Sequence, residues 1–189
     1  IAIPWFFIHV FKLPEQYNLI FIGTTLLTFF WSPYAGTLID KYPRKNIFLS
    51  LCIVGGTLLF SIAGLGFYWE QLPIPAVVLV FAFTVLNYNI HYPSLYALAQ
   101  EISPKSAYTK TNSLLEIQGQ ATSMLSGAFA ALLLSGTQEA SFLSFLPIEI
   151  EPWKLEHIFL MDGITYFLAI VLIYFIKYQR NAEATSTLV

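Results

Sequence analysis

Charge is scarce in this chain of 189 residues. Asp, Glu, Lys and Arg make up 11% of it, nine bases against eleven acids. Soluble domains carry about 25% charged residues, so an ordinary water-facing surface is excluded for most of the chain. The net charge of −2 leaves no basic surface for a phosphate backbone, which excludes a nucleic-acid partner. Cysteine occurs once, at Cys52. An intrachain disulfide is therefore impossible, and a single thiol in an apolar stretch reads as a small core residue. The histidines, His9, His91 and His157, fall in different segments, and no two have the spacing of metal ligands. Neither Gly-x-Ser-x-Gly nor His-Glu-x-x-His occurs, so the common hydrolase signatures are missing.

What the chain has instead is apolar length. Hydrophobic residues make up 57% of it and aromatic residues 17%, and the mean hydropathy is +0.66. These residues come in long blocks rather than alternating, the pattern of membrane spans. A bilayer crossing takes ~20 apolar residues, and five blocks are long enough: 17–38, 47–68, 75–98, 111–135 and 158–178. Residues 1–11 are apolar but too short to cross, and they lack the basic start of a signal peptide. They read as the last half of a helix whose beginning precedes the chain. The expected fold is all-α and integral to a membrane, with five full transmembrane helices and the end of a truncated first one.

Residues 12–16 break the pattern with Pro14, which interrupts a helix. Gly55, Gly56, Gly64 and Gly66 in the second span are expected to let neighbouring helices approach closely. The longest loop, 136–157, carries Glu139, Glu149, Glu151 and Glu156 against one base, Lys154. Residues 1–178 form the helical part, and 179–189 form a small polar tail. Counted by side, Lys41, Arg44, Lys45, Lys105, Lys110, Lys177 and Arg180 face Lys12 and Lys154 across the membrane. Seven bases against two put the 40–45 hairpin and the tail on the cytoplasmic side. The location is a multi-pass protein of a bacterial-type inner or plasma membrane, with the lipid bilayer as its first partner.

The most informative stretch joins the first two full spans. It reads Gly36-Thr37-Leu38-Ile39-Asp40-Lys41-Tyr42-Pro43-Arg44-Lys45. An acid at the C-terminal end of a helix is disfavoured by the dipole, at about 0.3–1 kcal/mol, so Asp40 calls for compensating charge, which Arg44 and Lys45 can supply. The spacing Gly-x-Leu-x-Asp-Lys-x-x-Arg-Lys resembles the loop signature of the major facilitator superfamily of transporters, with Pro43 where that family usually has glycine. The resemblance implies a six-helix half of a twelve-helix transporter, with a missing C-terminal half as partner. It also implies that Gly36, Asp40, Lys41, Arg44 and Lys45 form a gate that latches onto helix ends of the other half and holds the outward-open state.

Two further stretches are similar to the drug- and siderophore-exporter branch, the macrolide-efflux-like and enterobactin-exporter-like members. One is His91-Tyr92-Pro93-Ser94 followed by Glu101, Pro104 and Asn112. The other is Met161-Asp162-Gly163-Ile164-Thr165-Tyr166-Phe167. The fourth span has no Gly-Pro pair, which departs from the antiporter signature of some drug exporters. No cofactor is implied; a proton gradient is the coupling source the family suggests.

Polar residues inside apolar spans mark functional sites by default. On the third span Asn87, His91 and Ser94 share one face, and Tyr88, Asn89, Tyr92 and Tyr96 another. The resemblance implies that one of these faces lines the central cavity. Tyrosines suit an amphipathic or aromatic ligand, and asparagines serve equally well for helix–helix hydrogen bonds. On the fourth span Asn112, Glu116, Gln120, Ser123, Gly127 and Ala130 form one stripe. Glu116 is either a pathway acid or an interfacial one about one turn inside the membrane. Asp162 on the fifth span is either a helix cap or a proton site.

The substrate and proton pathway candidates are therefore Asn87, Asn89, His91, Tyr92, Glu116, Gln120 and Asp162. The expected function is a secondary active transporter working by alternating access, most simply an exporter of a small amphipathic organic molecule. The rivals are a membrane-embedded enzyme and a non-transporting scaffold; with no catalytic signature and no metal set, the chain is not read as an enzyme.

Overall fold

Pro43 sets the geometry at one end of the molecule. In the computed structural model, which describes residues 2–69, 71–139 and 150–175, helix α2 (Pro14–Lys41) ends and α3 (Arg44–Trp69) begins with two residues between them. Tyr42 is extended, at φ −107° and ψ 151°, the conformation a residue before proline prefers. The Pro43 carbonyl accepts the amides of Asn46 and Ile47 at 2.9 and 3.1 Å. Proline at the mouth of a helix gives up no hydrogen bond, because that N–H would be unpaired anyway.

The remaining helices are α1 (Ala2–His9), α4 (Ile74–Glu101) and, after a short 3₁₀ turn at Lys105–Ala107, α5 (Tyr108–Glu139) and α6 (Leu155–Phe175). No strand occurs among the described residues. Four helices, α2, α3, α4 and α6, are long and apolar enough to cross a membrane. The fourth expected span, 111–135, differs: α5 has the length but not the apolarity, because Glu116, Gln118, Gln120, Thr122, Ser123 and Ser126 interrupt it. The four spans expose large apolar side chains, among them Leu19 at 69%, Phe29 at 76% and Leu172 at 70%. Patches of that extent belong against lipid.

The core forms at the end opposite the hairpin. Phe7 of α1, Leu59 and Ala63 of α3, Val77 of α4, Leu134 of α5 and Phe159 of α6 pack into one buried cluster. A smaller cluster of Ala35, Ile39, Ile47 and Ile90 ties α2, α3 and α4 together at the hairpin end. The tightest contact is α3 against α6. A Cβ on Gly55 would stand 2.9 Å from the Tyr166 ring, on Gly66 2.8 Å from the Glu156 side chain, and on Gly163 2.9 Å from the Phe60 ring. Small residues let membrane helices approach until packing forces act along their whole length. Gly64 differs from expectation: nothing lies within 4 Å of its Cβ position, so it faces away from the contact.

Element boundaries shift from those read in the sequence. Helix α2 begins at Pro14, since proline is tolerated in the first turn, and α6 begins at Leu155, with Leu155 and Glu156 already buried. Gly136 has φ +72° and breaks α5 where the loop was expected to start. The 179–189 tail, Lys177, Arg180 and Glu149 lie outside the described residues, as does the side chain of Glu139.

Candidate functional site

Four helix ends meet at the hairpin. The Arg44 side chain, 13% exposed, turns from the start of α3 to the last residue of α4, and its Nε lies 3.6 Å from Oε1 of Glu101, itself 15% exposed. That distance makes an ion pair and not a hydrogen bond. One guanidinium nitrogen of Arg44 also donates to the Tyr42 carbonyl at 3.4 Å. Lys45 Nζ donates to the Tyr174 carbonyl at 3.0 Å and lies 5.9 Å from the centre of that residue's ring. A cation on the last carbonyls of a helix is favourable twice over, by hydrogen bond and by dipole. Lys41 lies 5.6 Å from the Tyr42 ring centre. Asp40 is exposed at the end of α2. Gly36 is exposed too, and among the described residues no atom comes within 4 Å of a Cβ built there.

Deeper in the bundle, α4 presents two faces to two clefts. The first, of about 340 Å³, lies between α4 and α5 and is lined by His91, Tyr92, Tyr96, Gln118, Thr122 and Ser123 among others. Tyr92 stacks near Tyr88, with ring centres 4.3 Å apart, as residues four apart on a helix do. The Tyr96 hydroxyl donates to the Glu116 carboxylate beside this cleft. Glu116 is exposed and stands eight residues past the start of α5, about 12 Å along the axis. Gln120 is exposed and does not line the cleft; of the expected stripe Ser123 lines it, together with Gln118, Thr122 and Ser126 from beside that stripe.

The second cleft, of about 350 Å³, lies between α3, α4 and α6. Asn87 and His91 of α4, Asp162 and Tyr166 of α6 and Cys52 of α3 line it. The Asn87 amide donates to the Tyr166 hydroxyl at 3.1 Å. The His91 ring meets Phe48 edge-on, with centres 5.2 Å apart, and it reaches both clefts. Asp162 is seven residues inside α6, about 10 Å from its start. That is beyond the first turn in which a helix cap acts, so the capping alternative does not apply. Thr165 Oγ1 donates to the Asp162 carbonyl at 2.7 Å and approaches its carboxylate at 3.4 Å. Asn89 donates instead to the Val85 carbonyl of its own helix at 2.9 Å and lines neither cleft.

The structure thus brings together Asn87, His91 and Asp162 on one side, and His91 and Tyr92 with Glu116 close by on the other. It adds Tyr166, which pairs with Asn87 between α6 and α4, and Gln118 and Thr165, which line the two clefts, and it pairs Tyr96 of the tyrosine face with Glu116 of α5. Among the described residues no group of three His, Cys, Asp or Glu side chains is placed to hold a metal ion.

Comparison of the chain with curated proteins and with solved structures returns no significant match. A family comparison does: the sequence model of the Major Facilitator Superfamily covers residues 1–188. With apolar helices long enough to span a bilayer and a charged two-helix hairpin between the first two of them, the chain belongs to the major facilitator superfamily of secondary membrane transporters.

Proposed function

We propose that this chain supplies one half of a transporter that works by alternating access and exports a small amphipathic organic molecule across a bacterial-type inner membrane. In this reading α5 also crosses the membrane, as the fourth of five full spans, its polar side turned into the bundle. The hairpin and the tail lie in the cytoplasm, and a proton gradient drives the cycle.

The observation that carries the reading is the way the hairpin ties helix ends together. Arg44 joins the start of α3 to the end of α4, and Lys45 joins it to the end of α6. A rigid knot of this kind is what a rocking half-bundle needs at one mouth of its pathway. Asp40 and the open face at Gly36 stand at the surface, where helix ends of the opposing half would complete the latch. The tyrosines of α4 with the amides and hydroxyls of α5 suit a ligand that is part aromatic and part polar.

The test uses the full-length protein in proteoliposomes, with efflux of fluorescent amphipathic dyes as the readout. Asp40→Asn is expected to lower flux at least tenfold without weakening dye binding. Unchanged flux in that variant contradicts the gating role. Absence of flux with every dye in the wild type favours the scaffold reading instead.

A further inference from the structure

A third cleft, of about 250 Å³, opens between α2 and α3 just below the hairpin turn. Its floor is apolar: Leu38 of α2, Ile47 and Leu51 of α3 and the buried Ile90 of α4. Its rim is polar. Tyr42 and Asn46 stand at the hairpin and Ser50 one turn below Asn46, and all three are exposed. Leu51 lies seven residues inside α3, so the cleft reaches about 10 Å along that helix. It grades from hydrogen-bonding groups to hydrocarbon over the depth at which a bilayer does the same.

One cation flanks the mouth. Lys41 is exposed, with its Nζ 5.6 Å from the centre of the Tyr42 ring. The other hairpin bases are turned elsewhere, Arg44 to Glu101 and Lys45 to the end of α6. No acid lines the cleft among the described residues. Direction argues against two other occupants. Leu38 stands two residues from both Gly36 and Asp40, and residues two apart on a helix do not share a face. The cleft therefore turns away from the face proposed to meet the other half. Nor does any described residue of α1, α5 or α6 line it, which sets it apart from the groove in which α1 packs.

We infer that this cleft holds an anionic phospholipid of the cytoplasmic leaflet. An acyl chain lies along Leu38, Ile47, Leu51 and Ile90. The phosphate meets Lys41, and the Tyr42 hydroxyl, the Asn46 amide and the Ser50 hydroxyl donate to the headgroup. Charge complementarity selects a lipid of net negative charge: the mouth offers a cation and no acid, and the cytoplasmic leaflet is the anionic one. A tyrosine at headgroup level suits the same boundary. The inference rests on the transporter reading only for the leaflet, since that reading sets the hairpin in the cytoplasm.

The experiment titrates the full-length detergent-purified protein with phosphatidylglycerol and with phosphatidylcholine of identical chains, and counts bound lipid by native mass spectrometry. Glycerol phosphate, the headgroup without its chains, is the third probe. Phosphatidylglycerol is expected to bind about fivefold more tightly than phosphatidylcholine, the effect of one base at an anionic headgroup, and glycerol phosphate not at all. Lys41→Gln is expected to remove that preference and to leave phosphatidylcholine unaffected, while Lys41→Arg keeps it. Ser50→Trp, which fills the cleft from an exposed position, is expected to weaken both lipids several-fold. Lys105→Gln, a base of the loop after α4, is expected to change nothing.

Equal affinity for the two lipids overturns the assignment, as does binding of glycerol phosphate as tight as that of the lipid. A loss with Lys105→Gln as large as with Lys41→Gln also overturns it, since the lipid would then answer to diffuse charge. Unchanged binding in Ser50→Trp removes the lipid from this cleft. None of these readouts uses flux. Lipid selectivity in a protein without transport supports the site and sinks the transporter reading, and transport without lipid selectivity does the reverse.

Discussion

Arg44 of α3 and Glu101 of α4 form an ion pair across two helix ends, at 3.6 Å, with both side chains largely withdrawn from water. The loop that joins their helices lies at the far end of both, so the pair closes the hairpin end of the bundle. Removing one partner leaves the other charge partly desolvated. Because the contact is longer than a hydrogen bond and not fully buried, the cost of Glu101→Ala is about 1–3 kcal/mol, below that of breaking a fully buried pair. Thermal unfolding in detergent should show a lowered Tm for Glu101→Ala and for Arg44→Ala, and a partial recovery when the two charges are exchanged. Additive single-variant effects would mean that the pair contributes nothing.

The α3–α6 contact depends on the absence of side chains at particular glycines. A Cβ at Gly163 would meet Phe60 at 2.9 Å, whereas Gly64 has open space around it. Gly163→Val is expected to destabilise by about 1–3 kcal/mol through overpacking. Gly64→Ala should be neutral or stabilising by about 0.5–1 kcal/mol, because alanine restricts the unfolded chain and favours helix. Both are read as Tm shifts of the purified protein. A Gly64→Ala variant that falls as far as Gly163→Val would contradict the placement of these two faces.

Much of this was legible in the sequence. The hairpin was, since four charges between long apolar runs leave no other reading. So were α2, α3, α4 and α6 as spans, within a few residues at each end. The glycines were readable as close-approach residues in general, but periodicity could not say that Gly55, Gly56 and Gly66 touch α6 while Gly64 does not. The stripe on α5 was legible in part: Glu116 meets Tyr96 of α4 and Ser123 lines the cleft, but with polar residues on several sides of that helix, periodicity could not separate Gln120 from Gln118 and Thr122. The pairings of Tyr166 with Asn87 and of Tyr96 with Glu116 could not have been found locally, because each joins two helices. Asp162 looked like a capping residue because α6 was expected to begin at 158 instead of 155.

The hydrogen bond from Asn87 to Tyr166 links α4 to α6 in the middle of the bundle. Side-chain hydrogen bonds between membrane helices average about 0.6 kcal/mol and reach about 1.7. A double-mutant cycle with Asn87→Leu and Tyr166→Phe, followed by unfolding in mixed micelles, should return a coupling energy within that range. A coupling near zero would mean that the two side chains do not pair.

The most direct check of the whole account is the sidedness of the hairpin. Tyr42, 46% exposed, is changed to cysteine in full-length protein stripped of other cysteines, Cys52 included, and is treated with a membrane-impermeant maleimide. The account predicts labelling of this Tyr42→Cys variant in inside-out vesicles and none in intact cells, since the bases at 41, 44 and 45 hold the turn in the cytoplasm. Labelling of the same variant from outside intact cells would contradict it.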